Sequence, residues 1–219
     1  MMQIFDRDIR RMAIVDDEEE GRESSSYPIE ELSLTAVQEV GPLPVLPDYL
    51  DQLKERADGV LCDHHLRITP YAKFNGAELA ALSYQWHFPA ILCTKWDTAS
   101  VDEMRRWRRF IPALLNPKEL NPESIVRSLE TCVAEFRGIY SEPRREWRAL
   151  IRIEDRDEGR SFLFIEIPSW DTKDIVKIPF DVLPEALLPD AIPGKRMHAF
   201  TNLGAERQEE LYFENWEGR

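Results

Sequence analysis

From residue 11 to about residue 137, short apolar runs alternate with stretches whose apolar residues recur every three or four positions. The runs are RMAIV (11–15), SLTAVQEV (33–40), DGVLCD (58–63), FPAILCT (88–94) and FIPALLNP (110–117), and each predicts a short strand. Pro112 cannot donate to a ladder, which puts the fifth strand at a sheet edge. Between the runs, DYLDQLKERA sets Tyr49, Leu50 and Leu53 on one helical face, and GAELAALSYQW aligns Leu79, Leu82 and Trp86. VDEMRRWRRF predicts a further helix. Asn121-Pro122-Glu123 opens another: Asn can cap, Pro suits the first turn and Glu favours the positive helix end. Ile125, Leu129, Val133 and Phe136 then line one side. Residues 18–31 carry Ser24, Ser25, Ser26 and Pro28 and predict only a short or irregular helix. GPLPVLP (41–47) reads as an extended connection and 64–75 as a loop. Strands alternating with helices predict an α/β fold with a doubly wound, mainly parallel five-stranded sheet over residues 1–137.

The texture then changes. GIYSEPRRE (138–146) reads as a linker. WRALIRIE, SFLFIEI, DIVKIPF, AIPGKRMHAFTNL and RQEELYFENW follow as strand-like runs, interrupted by a weak helix near LPEALLP. Residues 147–219 therefore predict a small all-β, barrel-like domain with antiparallel pairing. A barrel core accounts for most of its aromatic residues, among them Phe162, Phe164, Trp170, Phe180 and Phe200.

Charge narrows the function classes. The chain carries 41 acidic and 28 basic residues, a formal net charge of −13. Binding to phosphate backbones needs Lys and Arg in excess, so a nucleic-acid role is disfavoured. Residues 147–219 hold ten bases against fifteen acids, which speaks against a DNA-binding output domain. RRWRR (105–109) is the one local basic patch, and its simpler reading is the exposed face of a helix. No apolar run is long enough to span a bilayer and the first residues lack an apolar signal core, so a cytoplasmic protein without membrane contact is expected. Cys62, Cys93 and Cys132 sit apart in apolar runs and read as small core residues. His64-His65 on an extended segment point apart and read as loop residues rather than a joint metal ligand.

The candidate chemistry lies where strands end. Open α/β sheets place their sites at the carboxyl ends of the strands. Here those ends are Asp16-Asp17, Asp63, Thr94 and Asn116-Pro117. The order AIVDDE, GVLCD, GAELAAL, PAILCT and the NP step resembles the receiver domain of two-component response regulators, over roughly residues 11–137. The resemblance implies a receiver or flavodoxin-like fold, a Mg²⁺ ion held by oxygen ligands, and phosphoryl transfer from a phosphohistidine. It implies Asp63 as phosphoacceptor, Asp17 as direct metal ligand, Asp16 as ligand through water, His65 as carbonyl donor to the metal, and Thr94 as hydrogen-bond donor to a phosphoryl oxygen.

The departures are as informative. Where receivers carry a Lys before the strand-five proline, this chain has Asn116, which supplies no charge. Where they carry a switch aromatic, it has Ala113. Arg67 replaces a frequent Pro after the acceptor, and Lys95 and Lys118 stand nearby at other steps of the chain. Two outcomes follow from the resemblance: a receiver phosphorylated at Asp63 with altered switching, or a pseudo-receiver kept as an interaction surface. Both are regulatory rather than enzymatic, with protein partners such as a histidine kinase or phosphotransfer protein, and with homodimerisation through 121–136 and strand five compatible. The alternative reading is a Mg²⁺-dependent phosphatase of haloacid-dehalogenase type using Asp16, Glu18 and Thr94, although no helix-rich cap or late acidic pair is evident.

Overall fold

The computed structural model describes residues 1–66, 70–95 and 98–218. The chain forms two units, Met1–Trp96 with Phe110–Tyr140, and Asp97–Arg109 with Ser141–Arg219. The first opens with a hairpin of β1 (Met2–Ile4) and β2 (Arg7–Ile9), turned through Phe5 at φ 53°. Then come β3 (Arg11–Val15), α1 (Glu19–Glu31), β4 (Thr35–Gln38), α2 (Leu46–Arg56), β5 (Gly59–Cys62), α3 (Gly76–Gln85) and β6 (Ala90–Cys93). After α4 (Thr98–Met104), which belongs to the second unit, β7 (Ala113–Leu115) and α5 (Pro122–Phe136) complete the first.

The five strands β4-β3-β5-β6-β7 pair in parallel throughout. Counted from β3 this is the order 2-1-3-4-5, the flavodoxin-like doubly wound arrangement shared by receiver domains. The predicted sheet is therefore present, with β7 at an edge and Pro112 just ahead of it. Successive strand residues point to opposite faces. Ile14, Leu61 and Ile91 form one core with Ile29 of α1 and Ile125 and Leu129 of α5. The helices α2 and α3 pack together, with Tyr49, Leu50, Leu53 and Leu79 fully buried.

Three local expectations are corrected. Residues 19–31 form a full thirteen-residue helix rather than a short irregular one. Its buried positions Arg22, Ser26 and Ile29 recur at helical spacing, and Pro28 falls in the last turn. Packing thus overrides propensity. On α3 the buried face is Ala77, Leu79, Ala80, Ala81 and Ser83, whereas Leu82 and Trp86 are half-buried. Small side chains let this helix lie close to the sheet. The hairpin β1–β2 was not anticipated, and it adds Ile4 and Ile9 to the core.

The second unit holds β8 (Trp147–Asp157), β9 (Phe162–Ile167), β10 (Asp171–Pro179), β11 (Arg196–Thr201) and β12 (Phe213–Glu217). They form an antiparallel sheet in the order β10-β9-β8-β11-β12, as the alternating pattern predicts. Among the described residues the ladder runs from β10 at one end to β12 at the other. Alternate residues Ile151, Ile153, Leu163, Ile165, Ile167, Val176 and Ile178 make the core, with Trp170, Phe180 and Trp216 packed against it. Residues 185–190, read as a weak helix, are 3-10.

Two boundaries move. Residues 98–109, assigned by the sequence to the first domain, belong to the second unit, and so does the supposed linker from Ser141 onward. RRWRR is not an exposed helix face: it is 3-10 in geometry, and Arg105 and Arg108 are buried. Among the described residues no helix is long and apolar enough to cross a membrane.

Candidate functional site

Parallel register brings the acids together. Val15 is the partner of Cys62, so Asp16 and Asp63 follow at neighbouring strand ends, and the Asp63 N–H donates to the Val15 carbonyl at 2.9 Å. Cys93 pairs with Leu115 in the same way, and the Thr94 N–H donates to the Leu115 carbonyl at 3.0 Å. All four predicted strand ends therefore lie along one sheet edge.

A cavity of about 390 Å³ opens there. Its polar lining is Asp16, Glu18, Asp63, Lys95 and the hydroxyl residues Ser24 and Ser25 of α1, over a floor that includes Ile14, Leu61, Cys62 and Cys93. Asp16 accepts the Glu18 N–H on Oδ1 at 2.8 Å, which ties it to the start of α1, and its carbonyl accepts Arg22 Nη1 at 2.7 Å. Gly21 permits this approach: a Cβ there would lie 2.2 Å from Asp16 Oδ2. Burial pushes the Asp16 carboxyl up to about 6; the Glu18 N–H opposes the rise, and the neighbouring charges of Asp63, Asp17 and Glu18 add to it. Burial likewise raises the Cys93 thiol to about 12 and the Cys62 thiol well above its ordinary value, so neither is a nucleophile near neutrality.

Asp63 is built into its loop. Its Oδ2 accepts the His65 N–H at 2.8 Å, and the Gly76 N–H donates to the His64 carbonyl at 3.0 Å. A Cβ on Gly76 would lie 1.9 Å from the Asp63 carbonyl oxygen, so only glycine lets α3 begin this close to the acid. The α3 start is closed by a capping box between Asn75 and Glu78. His64 is buried, with its ring edge-on to His65.

The other predicted positions are placed as follows. Asp17 is half-exposed beside Asp16 and is not among the residues lining the cavity. Thr94 is buried at the end of β6. Ala113 is buried in the core on β7. Asn116 caps its own turn: its Oδ1 accepts the Lys118 N–H at 3.1 Å, while its N–H donates to Glu119 Oε2 at 3.1 Å. Arg67 lies outside the described residues. Lys95 is exposed on the lip of the cavity and is the basic side chain among the described residues of the lining. Sequence reasoning did not single out Gly21, Arg22 or Tyr71. The Tyr71 hydroxyl donates to the Glu39 carbonyl at 2.6 Å, and Glu39 in turn pairs with Arg56 at 3.0 Å.

Among the described residues no group of three or more His, Cys, Asp or Glu side chains is placed to hold a metal ion. Mg²⁺ does not require one. It is commonly bound through one or two carboxylates, with water and phosphate oxygens completing its shell. Asp16 and Asp63 are the aspartates of the lining that could face such an ion; burial first, and the neighbouring carboxylates after it, push the Asp16 carboxyl up.

No protein-family model matches the sequence, and no curated protein matches it. Solved structures do. The chain is similar to a chemotaxis response regulator of Vibrio cholerae at 15% identity, covering 57% of this chain and 99% of that one, with a TM-score of 0.40. It is similar to a response regulator receiver domain protein from Clostridium thermocellum at 12% identity, covering 59% and 98%, with a TM-score of 0.44. A response regulator receiver protein from Pseudoalteromonas atlantica matches at 14% identity over 57% and 98%, with a TM-score of 0.40. The strand order and register, rather than these overlaps, define the fold.

Proposed function

We propose that the protein is a regulatory module of receiver type that acts by binding other proteins, with Asp63 as the acceptor of a phosphoryl group. One observation carries the reading: Asp16 and Asp63, on adjacent strand ends, line a single cavity with Lys95 at its lip. Phosphoryl transfer asks a protein mainly for positioning and charge neutralisation. A carboxylate oxygen of Asp63 attacks phosphorus, the new P–O bond forms, and the bond to the donor's leaving atom breaks with its electron pair. The His65 N–H on Oδ2 fixes the carboxylate for that attack and leaves Oδ1 as the nucleophile.

Asp16 and Asp63, with Asp17 beside them, are the residues that would hold Mg²⁺, which when bound neutralises the carboxylates and the incoming phosphoryl oxygens. Lys95 supplies the positive charge that Asn116 lacks. The Thr94 hydroxyl is the candidate donor to a phosphoryl oxygen. Ala113 offers no ring to rotate at its position and Asn116 is committed to a cap, and the readout we propose is protein contact. The phosphoryl source is a histidine kinase, a phosphotransfer protein or a small-molecule donor.

The test is intact-mass measurement after exposure to a small-molecule phosphodonor with Mg²⁺. A gain of one phosphoryl group, absent in Asp63→Asn and slowed in Lys95→Ala, is expected. A folded protein that gains nothing would overturn the acceptor role and leave a pseudo-receiver.

A further inference from the structure

The most basic stretch of the chain has no part in the acidic cavity, and the second unit holds it by an unusual set of contacts. Arg105 is buried, and its Nη1 donates to the backbone carbonyls of Gln208 at 2.9 Å and Leu211 at 3.2 Å. Arg144 reaches back in the other direction, with Nη1 on the Arg108 carbonyl at 3.1 Å and Nη2 on the Arg109 carbonyl at 2.7 Å. The Tyr212 hydroxyl donates to the Arg144 carbonyl at 2.5 Å. Its ring lies 4.9 Å from the Arg144 guanidinium and 5.5 Å from that of Arg109, a cation–π pairing on both. Asp102 pairs with Lys177 at 2.6 Å, and Arg106 with Asp181 at 3.6 Å.

These contacts are polar. Among the described residues the apolar core of the second unit takes none of its members from 98–109. Met104, which is buried, is the segment's own apolar contribution, and it is not a member of that cluster. Nor is the holding fully satisfied: buried Arg105 Nε and Trp107 Nε1 have no hydrogen-bond partner among the described residues. An element that joined a unit by folding with its core would contribute apolar area to that core. Beside Met104, this one contributes guanidinium-to-carbonyl bonds.

We propose that residues 98–109 form a strap, docked on an arginine-reading surface of the second unit made by the Gln208 and Leu211 carbonyls, the Arg144 guanidinium and the Tyr212 ring, and releasable without unfolding the sheet beneath. The occupant is this chain's own segment, since the surface already holds it. By chain the strap follows Lys95 on the cavity lip and precedes β7, whose end carries Asn116.

The inference does not depend on Asp63 accepting a phosphoryl group, and it is tested on the full chain by hydrogen–deuterium exchange. In the wild type, amides of 101–109 and 207–212 are expected to exchange at matched, slowed rates. In Arg105→Ala, and separately in Arg144→Ala, both stretches should speed up together by at least about tenfold, the effect of losing charge-assisted hydrogen bonds. The amides of β8, β9 and β10 should keep their wild-type rates. Unchanged exchange of 101–109 in both variants would overturn the docking. So would a sheet that speeds up along with the strap, because the segment would then be core. Protection that grows with protein concentration, with a dimer in sedimentation, would also overturn it by assigning the surface to a second copy's segment.

Discussion

The two units treat buried charge in opposite ways. In the first, carboxylates from adjacent strand ends share a cavity, and the Asp16 carboxyl is pushed up to about 6 by burial and by its acidic neighbours. In the second, guanidinium groups are buried as well, and burial lowers Arg105 to about 10, but its charge is met by two backbone carbonyls. Compensated charge of this kind holds structure in place. Charge that burial and like neighbours disfavour is charge that a proton or a cation would relieve. The contrast separates architecture from chemistry more sharply than charge content does, since RRWRR is a dense basic run and serves to hold a segment.

The largest effect should come from the apolar half of the contrast. Ile165 is fully buried at the centre of β9, between Val176 and Ile153. Ile165→Ala should cost about 3–4 kcal/mol through lost burial and the cavity left behind. Chemical denaturation should show the loss in the transition of the second unit, with Asp63 chemistry unaffected. A loss spread equally over both units would break the comparison by making them one cooperative body.

Next is the glycine that lets α3 begin against the acid. Gly76→Ala places a Cβ 1.9 Å from the Asp63 carbonyl, so the backbone must shift, at about 2–3 kcal/mol. The same shift should slow phosphoryl gain at Asp63. A variant with wild-type stability would show that the loop yields freely and that the acid is not rigidly placed.

The charge half is tested by pH. Asp16 has an ordinary value of 3.8 and a folded value of about 6. Between these values the folded state holds a proton that the unfolded state has lost, so stability should fall as pH rises through that window in the absence of divalent cation. The penalty is absent below about 4 and full above about 6. Allowing for partial exposure, it amounts to about 2 kcal/mol. Asp16→Asn keeps the acceptor for the Glu18 N–H, so it should remove the slope and raise stability at pH 7 by a similar amount. Mg²⁺ should stabilise the wild type and leave the variant nearly unmoved. A flat wild-type profile would mean the cavity carboxylates are already compensated, and the contrast with the second unit would vanish.

Much of this was legible in the sequence, for reasons that differ by element. The acid pair could be read because buried parallel strands announce themselves as apolar runs, and a parallel sheet sends all their ends to one edge. Asn121 and the helix after it could be read because a cap is a local device. The hairpin β1–β2 could not, since three-residue strands such as Met2–Ile4 carry too little periodicity. The helix over 19–31 was hidden by its serines and Pro28, because what stabilises it is burial of Arg22, Ser26 and Ile29 against elements elsewhere in the chain. The strap was hidden most deeply. An arginine run reads as solvated surface, and nothing local to it shows that its partners are carbonyls about a hundred positions later.

The smallest expected effect bears on Asn116, whose side chain caps the 3-10 turn Pro117–Glu119. If that is its role, Asn116→Ala should cost about 0.5–1 kcal/mol, the worth of a modest cap, and Asn116→Asp should cost nearly nothing because the acceptor oxygen remains. Neither change should slow phosphoryl gain as far as Lys95→Ala does, because the lip lysine brings a full charge to the cavity and the cap brings none. Rates of adduct formation for the three variants, read by intact mass beside their unfolding midpoints, check this. Should Asn116→Ala abolish the adduct while leaving stability intact, the cap would be incidental. The position would then act on the phosphoryl group directly, and the first unit's site would lie nearer to β7 than its cavity indicates.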